Sequence, residues 1–261
     1  MSKKVAIVTG GTRGIGADIS LALAGAGYTV AAVYRSNTEQ AREFEKQLHA
    51  ASPESMVVQA DVSFAPGVEH AVNSTMQKYN RIDILVNNAG IFGFEFLEDM
   101  DEEGLDHILR VNFKSQFLMT KACVKHMKER GFGRILNASS ISSVLADVGL
   151  IGYGASKAAV DMMTKISAAE LAPYGITVNA YAPGIIHTDM TDAMIRERGH
   201  EQVKQIPLNR FGTGAEVASL ICYLASEEAG YISGEIIGVN GGMLKVQNPY
   251  RAHEYVNGKD K

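Results

Sequence analysis

Seven short apolar runs, separated by segments of helical character, decide what this chain can fold into. They are "KVAIVTG" (4–10), "YTVAAVY" (28–34), "MVVQAD" (56–61), "DILVNNAG" (83–90), "GRILNASS" (133–140), "ITVNAYAPG" (176–184) and "GEIIGVNGG" (234–242). The leading runs are continuously apolar, as central parallel strands covered on both faces require. Between them the pattern predicts helices over about 14–26, 37–50 and 67–79, two helices within 101–130, then helices over 152–172 and 214–225, with a mixed stretch at 187–212. Strand alternating with helix implies βαβ units and right-handed crossovers. The expected fold class is therefore α/β, a doubly wound, mostly parallel sheet with helices on both faces. No repeat or low-complexity linker interrupts the pattern. Residues 1–243 read as one domain, and 244–261 as a polar tail that is either disordered or packed on a neighbouring subunit.

Composition removes several classes. A net charge of −4 with no dense basic run argues against a nucleic-acid partner. The N-terminal "MSKKVAIVTGG" has the basic start of a signal peptide, but its apolar stretch is short and is interrupted by Gly10, Gly11 and Arg13. No apolar run approaches bilayer length. The two cysteines, Cys123 and Cys222, form neither a ligand cluster nor a spaced framework, so no metal site is expected. A reducing, cytoplasmic setting is expected.

The first run hands over to a helix through "TGGTRGIG" (9–16), where Gly10, Gly14 and Gly16 have the spacing G-x-x-x-G-x-G. Glycines there permit a tight turn, close approach of backbone to a pyrophosphate and close helix–strand packing. The helix that starts at the loop offers free N–H groups and its positive dipole end to an anion. Thr12, Arg13 and Ile15 lie in the same loop. At the end of the second run, where a carboxylate would hold the adenosine ribose of NAD, the chain has Tyr34, Arg35, Ser36 and Asn37. No carboxylate repels a 2′-phosphate there, and Arg35 offers it a planar fork of donors, with Arg13 as a second cation. NADP(H) is therefore expected over NAD(H).

"YGASK" places Tyr153 and Lys157 four residues apart, on one face of a helix. Together with "TGGTRGIG", "NNAG", "VNF", Ser140 and "PGIIHT", it falls in the order and spacing of the short-chain dehydrogenase/reductase family, which the chain resembles over about residues 3–243. The resemblance implies a Rossmann-type domain of about seven parallel strands that uses NAD(P)(H) to interconvert a carbonyl and an alcohol. It implies a catalytic tetrad of Asn112, Ser140, Tyr153 and Lys157. In that tetrad Tyr153 is the general acid and base, Lys157 together with the positive nicotinamide of the oxidised cofactor lowers its pKa, and Lys157 holds the nicotinamide ribose. Ser140 orients the carbonyl, and Asn112 positions a water that links Lys157 to solvent. Further cofactor contacts implied by the resemblance are Asp61 and Val62 at the adenine, Asn88, Ala89 and Gly90 along the cleft, and Pro183, Gly184, Ile186 and Thr188 after the sixth strand. A non-catalytic nucleotide-binding regulatory protein would keep the fold without the tetrad, yet every member is present.

Substrate choice is expected from the loop 141–152 and from 187–211. The first is mostly apolar apart from Asp147, which fits a modest aliphatic group. "DMTDAMIRERGHEQ" (189–202) reads as an amphipathic lid with Met190 and Met194 inward, and His187 lies near the cleft. Within the family the chain is similar to 3-oxoacyl-(acyl-carrier-protein) and acetoacetyl-CoA reductases, so a 3-oxoacyl thioester is the expected substrate. A small ketone, diol, polyol or sugar is the alternative. Carrier-protein reductases place a basic residue just before the Gly-Ile-Thr-Val-Asn strand. This chain has Tyr174 there, after Pro173, which argues against an acyl carrier protein as partner. The resemblance also implies a homo-oligomer, dimer or tetramer, assembled through the helices near 112–130 and 152–172.

Overall fold

The computed structural model of the chain describes residues 3–243 and 245–259. In chain order its elements are β1 (Val5–Thr9), α1 (Gly14–Gly25), β2 (Thr29–Tyr34), α2 (Thr38–Ala51), β3 (Met56–Gln59), α3 (Ala65–Tyr79), β4 (Ile84–Asn87), α4 (Glu102–Leu109), α5 (Ser115–Arg130), β5 (Gly133–Ala138), α6 (Ile151–Leu171), β6 (Ile176–Pro183), α7 (Asp192–Gln202), α8 (Gly214–Ala225), β7 (Ile236–Val239) and α9 (Arg251–Lys259). The seven strands form one sheet in the order β3-β2-β1-β4-β5-β6-β7, and every pairing is parallel. This is the expected doubly wound α/β sheet.

Strand alternation sorts side chains onto two faces. Ala6 and Val8 of β1 join one core with Ile19 and Leu23 of α1 and Val217, Ile221 and Leu224 of α8. Ile7, between them, joins the other core with Val68 and Val72 of α3, Met119, Cys123 and Met127 of α5, and Ala168 and Leu171 of α6. Each Val, Leu, Ile and Met among them contributes about 1.5–3 kcal/mol by leaving water. Both faces of β1 are thus covered, which is why its sequence is a continuous apolar run.

The strand order reverses between β1 and β4, so loops leaving their carboxyl ends diverge and leave a crevice. Residues 10–16 and 88–90 line that crevice. Four features differ from expectation. Strands β3, β4 and β7 are each four residues long, shorter than their apolar runs. The two helices expected within 101–130 are joined by a π-helical turn, Arg110–Lys114. Part of the tail is helical, as α9, and its His253 Nε2 donates to the Pro207 carbonyl at 2.8 Å, while the Tyr250 ring stacks on His253 at 5.5 Å. The tail therefore rests on the chain's own segment after α7. Finally, Met190 precedes α7 and is 58% exposed, so it does not point inward as the lid reading required.

Candidate active site

At the glycine loop, Gly10 and Gly14 have φ of +62° and +51°, a region that side-chain-bearing residues rarely adopt. A Cβ on Gly16 would overlap the Gly10 carbonyl. The N-terminus of α1 has no side-chain cap and no acidic residue in its first turn, so its first N–H groups and dipole are left for an anion. Thr188 packs 3.8 Å from the point where a Gly14 Cβ would stand, which brings the loop after β6 over the same place. Thr188 N–H donates to Thr191 Oγ1 at 3.0 Å, which holds that loop in a tight turn. This cradle fits a pyrophosphate: backbone donors, a positive dipole end and no competing carboxylate.

The other expected cofactor residues divide by what their side chains do. Arg13 and Arg35 are exposed and, among the described residues, have no carboxylate partner. Ser36 is exposed beside Arg35. Asp61 accepts hydrogen bonds from Ser63 N–H at 3.0 Å and Ser63 Oγ–H at 2.6 Å, both on Oδ1, so Oδ2 stays free. Val62 and Ile186 are core residues, 7% and 3% exposed, and only their backbone can face a ligand. Asn88 is a brace: its Nδ2 donates to the Thr9 and Gly10 carbonyls at 3.1 and 3.2 Å, and its Oδ1 accepts from Tyr181 OH at 3.1 Å. Ala89 N–H is held by Thr9 Oγ1 at 3.0 Å. Gly184 is pinned against β7 through Val239, its N–H donating at 3.0 Å, and Pro183 is half-buried before it.

Beyond the crevice, the structure brings Ser140, Tyr153, Lys157 and Asn112 together. Ser140 follows β5 and starts a 3₁₀ turn, Ile141–Ser143, with its Oγ accepting from Ser142 N–H at 3.1 Å. Tyr153 and Lys157 rise from the first turns of α6, and the Lys157 ammonium lies 5.6 Å from the Tyr153 ring centroid. Lys157 Nζ donates to the Ala138 carbonyl at 2.8 Å, which leaves two donors unspent on a buried side chain. Burial holds its pKa down at about 8, against an opposing pull from Asp161 one turn along the helix.

Burial pushes the pKa of the Tyr153 phenol above the ordinary value, and the hydrogen bond with Ser140 draws it back only in part. The expected lowering needs the Lys157 ammonium and the positive nicotinamide of the oxidised cofactor together. That ammonium is turned toward Ala138, and burial disfavours the phenolate. In the absence of a further positive charge the phenol is a neutral proton donor at pH 7.

Asn112 sits in the π-helical turn, fully buried. Its Nδ2 donates to the Ile91 carbonyl at 3.0 Å and to Ser156 Oγ at 3.1 Å, while its Oδ1 accepts from Ile91 N–H at 2.8 Å. Both amide hydrogens are therefore committed, and one lone pair of Oδ1 is left for the expected water. That oxygen and Lys157 Nζ flank the space beside Gly90, 3.3 and 3.8 Å from where a Cβ would stand. A side chain at Gly90 would crowd both groups.

One wall of the site was missed by the sequence reading. In "FGFEF" (92–96), the Phe92 ring meets the Tyr153 ring edge-on at 5.2 Å, and Phe94 meets Phe96 at 5.8 Å. Glu95 N–H donates to the Gly149 carbonyl at 2.8 Å, which pins this segment to the loop 141–152. The density of phenylalanines directly after "NNAG" was the available signal. Phe92, Phe94, Val144 and Val148 are all at least half exposed, a wide apolar mouth. His187 lies 3.6 Å from Asp192, which also pairs with Arg196, and Asp147 is exposed. Among the described residues no group of three or more His, Cys, Asp or Glu is placed to hold a metal ion.

A family model described as enoyl-(acyl carrier protein) reductase matches residues 10–244. The 3-oxoacyl-[acyl-carrier-protein] reductase FabG of Staphylococcus aureus is 40% identical over 240 residues, covering 92% of this chain and 98% of that one. Among solved structures, a Sinorhizobium meliloti protein described as a short-chain alcohol dehydrogenase is 32% identical with a TM-score of 0.90, covering 95% and 98% of the two chains. An Agrobacterium tumefaciens protein described as a gluconate dehydrogenase is 30% identical, also with a TM-score of 0.90, covering 94% and 97%.

Proposed function

Because the chain belongs to the short-chain dehydrogenase/reductase family and is an oxidoreductase acting on CH–OH groups, we propose that it reduces the ketone of a 3-oxoacyl thioester with NADPH, using Tyr153 as proton donor. The observation that carries this is the meeting of Tyr153, Ser140 and Lys157, with Lys157 beside Gly90 in the segment that is hydrogen-bonded to the glycine loop. The 40%-identical relative named for 3-oxoacyl reduction supports the substrate class. So does the apolar, phenylalanine-walled mouth, which suits an acyl chain better than a sugar.

NADPH bound in the cradle supplies the hydride. This chain's residues do the rest. Ser140 O–H donates to the ketone oxygen and holds it against Tyr153. As negative charge grows on that oxygen, the neutral phenol, kept protonated by burial, gives up its proton to it. Lys157, with two donors unspent, binds ribose hydroxyls and stabilises the phenolate left behind. A water between Lys157 and Asn112 Oδ1 returns the proton from solvent. Arg13 and Arg35, free of carboxylate partners, take the 2′-phosphate.

Tyr174, at the position where a carrier-binding cation was expected, is covered by Lys128 Nζ at 3.9 Å from its ring centroid. A cation therefore stands at that position by another route, and carrier-linked as well as free thioesters belong in the assay. The outer faces of α5 and α6 expose Phe117, Met162 and Ile166, apolar surface that a second copy of the chain covers in a homo-oligomer. Light scattering at micromolar concentration tests this; a monomer there refutes it. The thiols Cys123 and Cys222 are unbridged, and no helix among the described residues is long and apolar enough to cross a membrane. We place the enzyme in the cytoplasm, which cell fractionation checks.

The decisive assay follows NADPH absorbance with acetoacetyl-CoA. Rapid turnover supports the reading. Tight NADPH binding without turnover, together with reduction of a sugar or polyol ketone, moves the protein to the other branch.

A further inference from the structure

Gln116 lies in the first turn of α5, one turn after Asn112, and is 1% exposed. Its Nε2 donates to the Asn112 carbonyl at 2.9 Å and to the Ala138 carbonyl at 3.2 Å. The Ala138 oxygen also accepts from Lys157 Nζ at 2.8 Å. One amide therefore ties the π-helical turn that carries Asn112 to the last residue of β5, at the oxygen that anchors Lys157 and two residues before Ser140. Both Nε2 hydrogens are spent. These two acceptors fix the orientation of the amide, because a flipped amide would set its oxygen against two carbonyl oxygens. Gln116 Oε1 is buried and, among the described residues, has no hydrogen-bond partner. A bare buried acceptor weighs against the fold, so an apolar residue would fill this place at less cost. Stability alone does not account for a glutamine here, and local violations of this kind belong to functional sites. Its neighbour Ser115 makes the contrast. Ser115 Oγ also bonds back into the turn, donating to the Val111 carbonyl at 2.6 Å, and among the described residues it makes no hydrogen bond to β5.

We propose that Gln116 is a positioning residue for the carbonyl reduction: it holds the Ala138 carbonyl, and through it the Lys157 ammonium, in fixed register with Asn112. Lys157 carries its charge on a flexible four-carbon stem, and the bond to Ala138 sets where that charge stands. If the Ala138 oxygen shifts, the ammonium shifts with it, away from the phenolate left on Tyr153 and from the ribose hydroxyls. The water site between Lys157 and Asn112 Oδ1 widens or closes by the same movement. A misplacement of about 1 Å in such a group costs on the order of 10²-fold in rate. This inference rests on the roles proposed above for Tyr153, Lys157 and Asn112, and adds the residue that keeps two of them in register.

Two variants of the full chain test it. Gln116→Met keeps the length of the side chain and removes both donors together with the bare acceptor. Ser115→Ala removes the neighbouring bond to the turn and serves as the control. With acetoacetyl-CoA at saturating NADPH, Q116M is expected to lose at least fivefold in kcat with KM within threefold, the signature of an interaction that acts on the chemical step. S115A should stay within threefold of the unaltered protein in both constants. A smaller loss of kcat in Q116M, or a loss carried by KM, overturns the proposal. An equal loss of kcat in S115A also overturns it, since the effect would then belong to the turn in general. So does a Q116M protein that loses activity only in proportion to its unfolded fraction, read by circular dichroism, because the role is then packing. If the unaltered protein does not reduce acetoacetyl-CoA, the thioester reading fails by itself, and NADPH affinity by fluorescence decides the role of Gln116. A loss of at least fivefold in Q116M alone, through the ribose contacts of Lys157, upholds it; a smaller loss, or the same loss in S115A, overturns it.

Discussion

Replacing Lys157 by Met should make the protein without cofactor more stable at pH 7 while destroying its activity. Lys157 is buried and its pKa is held at about 8, against an ordinary 10.5. At about 1.4 kcal/mol per pH unit, that difference means the fold forfeits about 3 kcal/mol to keep this ammonium inside at neutral pH. Methionine has similar length and no charge to desolvate. The Ala138 carbonyl is not orphaned, because Gln116 Nε2 also donates to it, at 3.2 Å. Part of the gain is offset at Asp161, which loses its counter-charge and whose buried Oδ1 has no hydrogen-bond partner. The expected net change is a gain of about 1–3 kcal/mol. The sign with pH is fixed by the same shift. Between pH 8 and 10.5 the unfolded chain binds a proton that folded Lys157 has lost, so unaltered-protein stability rises with pH through that window. Urea unfolding at pH 7 and pH 9.5 reads both effects, the upper value being set below the pH at which exposed tyrosines ionise. Destabilisation of K157M by more than 1 kcal/mol, or an undiminished pH slope in that variant, refutes the reasoning.

Two other perturbations follow from the cradle. Arg35→Asp removes a cation facing the expected 2′-phosphate and adds a charge that repels it, so the ratio of NADPH to NADH affinity should fall at least tenfold by fluorescence titration; an unchanged ratio refutes the assignment. Gly16→Ala sets a Cβ against the Gly10 carbonyl and should cost at least tenfold in cofactor affinity with the helical circular dichroism intact, whereas near-normal affinity would place the cofactor elsewhere.

The sheet was legible because β1 and β2 bury both faces and so carry almost unbroken apolar runs, and because β4 and β6, equally buried, stay apolar over most of their length. The grouping of Tyr153, Lys157, Ser140 and Asn112 was legible for a different reason. Tyr153 and Lys157 share one helix, and their spacing is a local property, while Ser140 and Asn112 were found only through the family's order of motifs. What stayed hidden depends on tertiary contact. The π-helical turn at Arg110–Lys114 changes helical register by a fraction of a turn, which apolar periodicity does not register. Phe92 becomes part of the site only because Glu95 is tied to Gly149 across fifty-odd residues. Asn88, expected along the cofactor cleft, also braces the glycine loop through its side chain, a role its place in the sequence did not show. The tail, polar throughout, gave no sign that it would fold back onto Pro207.

The central claim is that Tyr153 transfers the proton. Tyr153→Phe keeps the ring against Phe92 and removes only the hydroxyl, so the fold and the cofactor cradle are left as they are. The measurement is single-turnover oxidation of bound NADPH by acetoacetyl-CoA, alongside NADPH affinity by fluorescence. The account predicts a rate reduced by about 10²–10⁴-fold, the range for loss of a general acid, with affinity within threefold of the unaltered protein. A rate within tenfold of normal at unchanged affinity would contradict it and give the proton to another group.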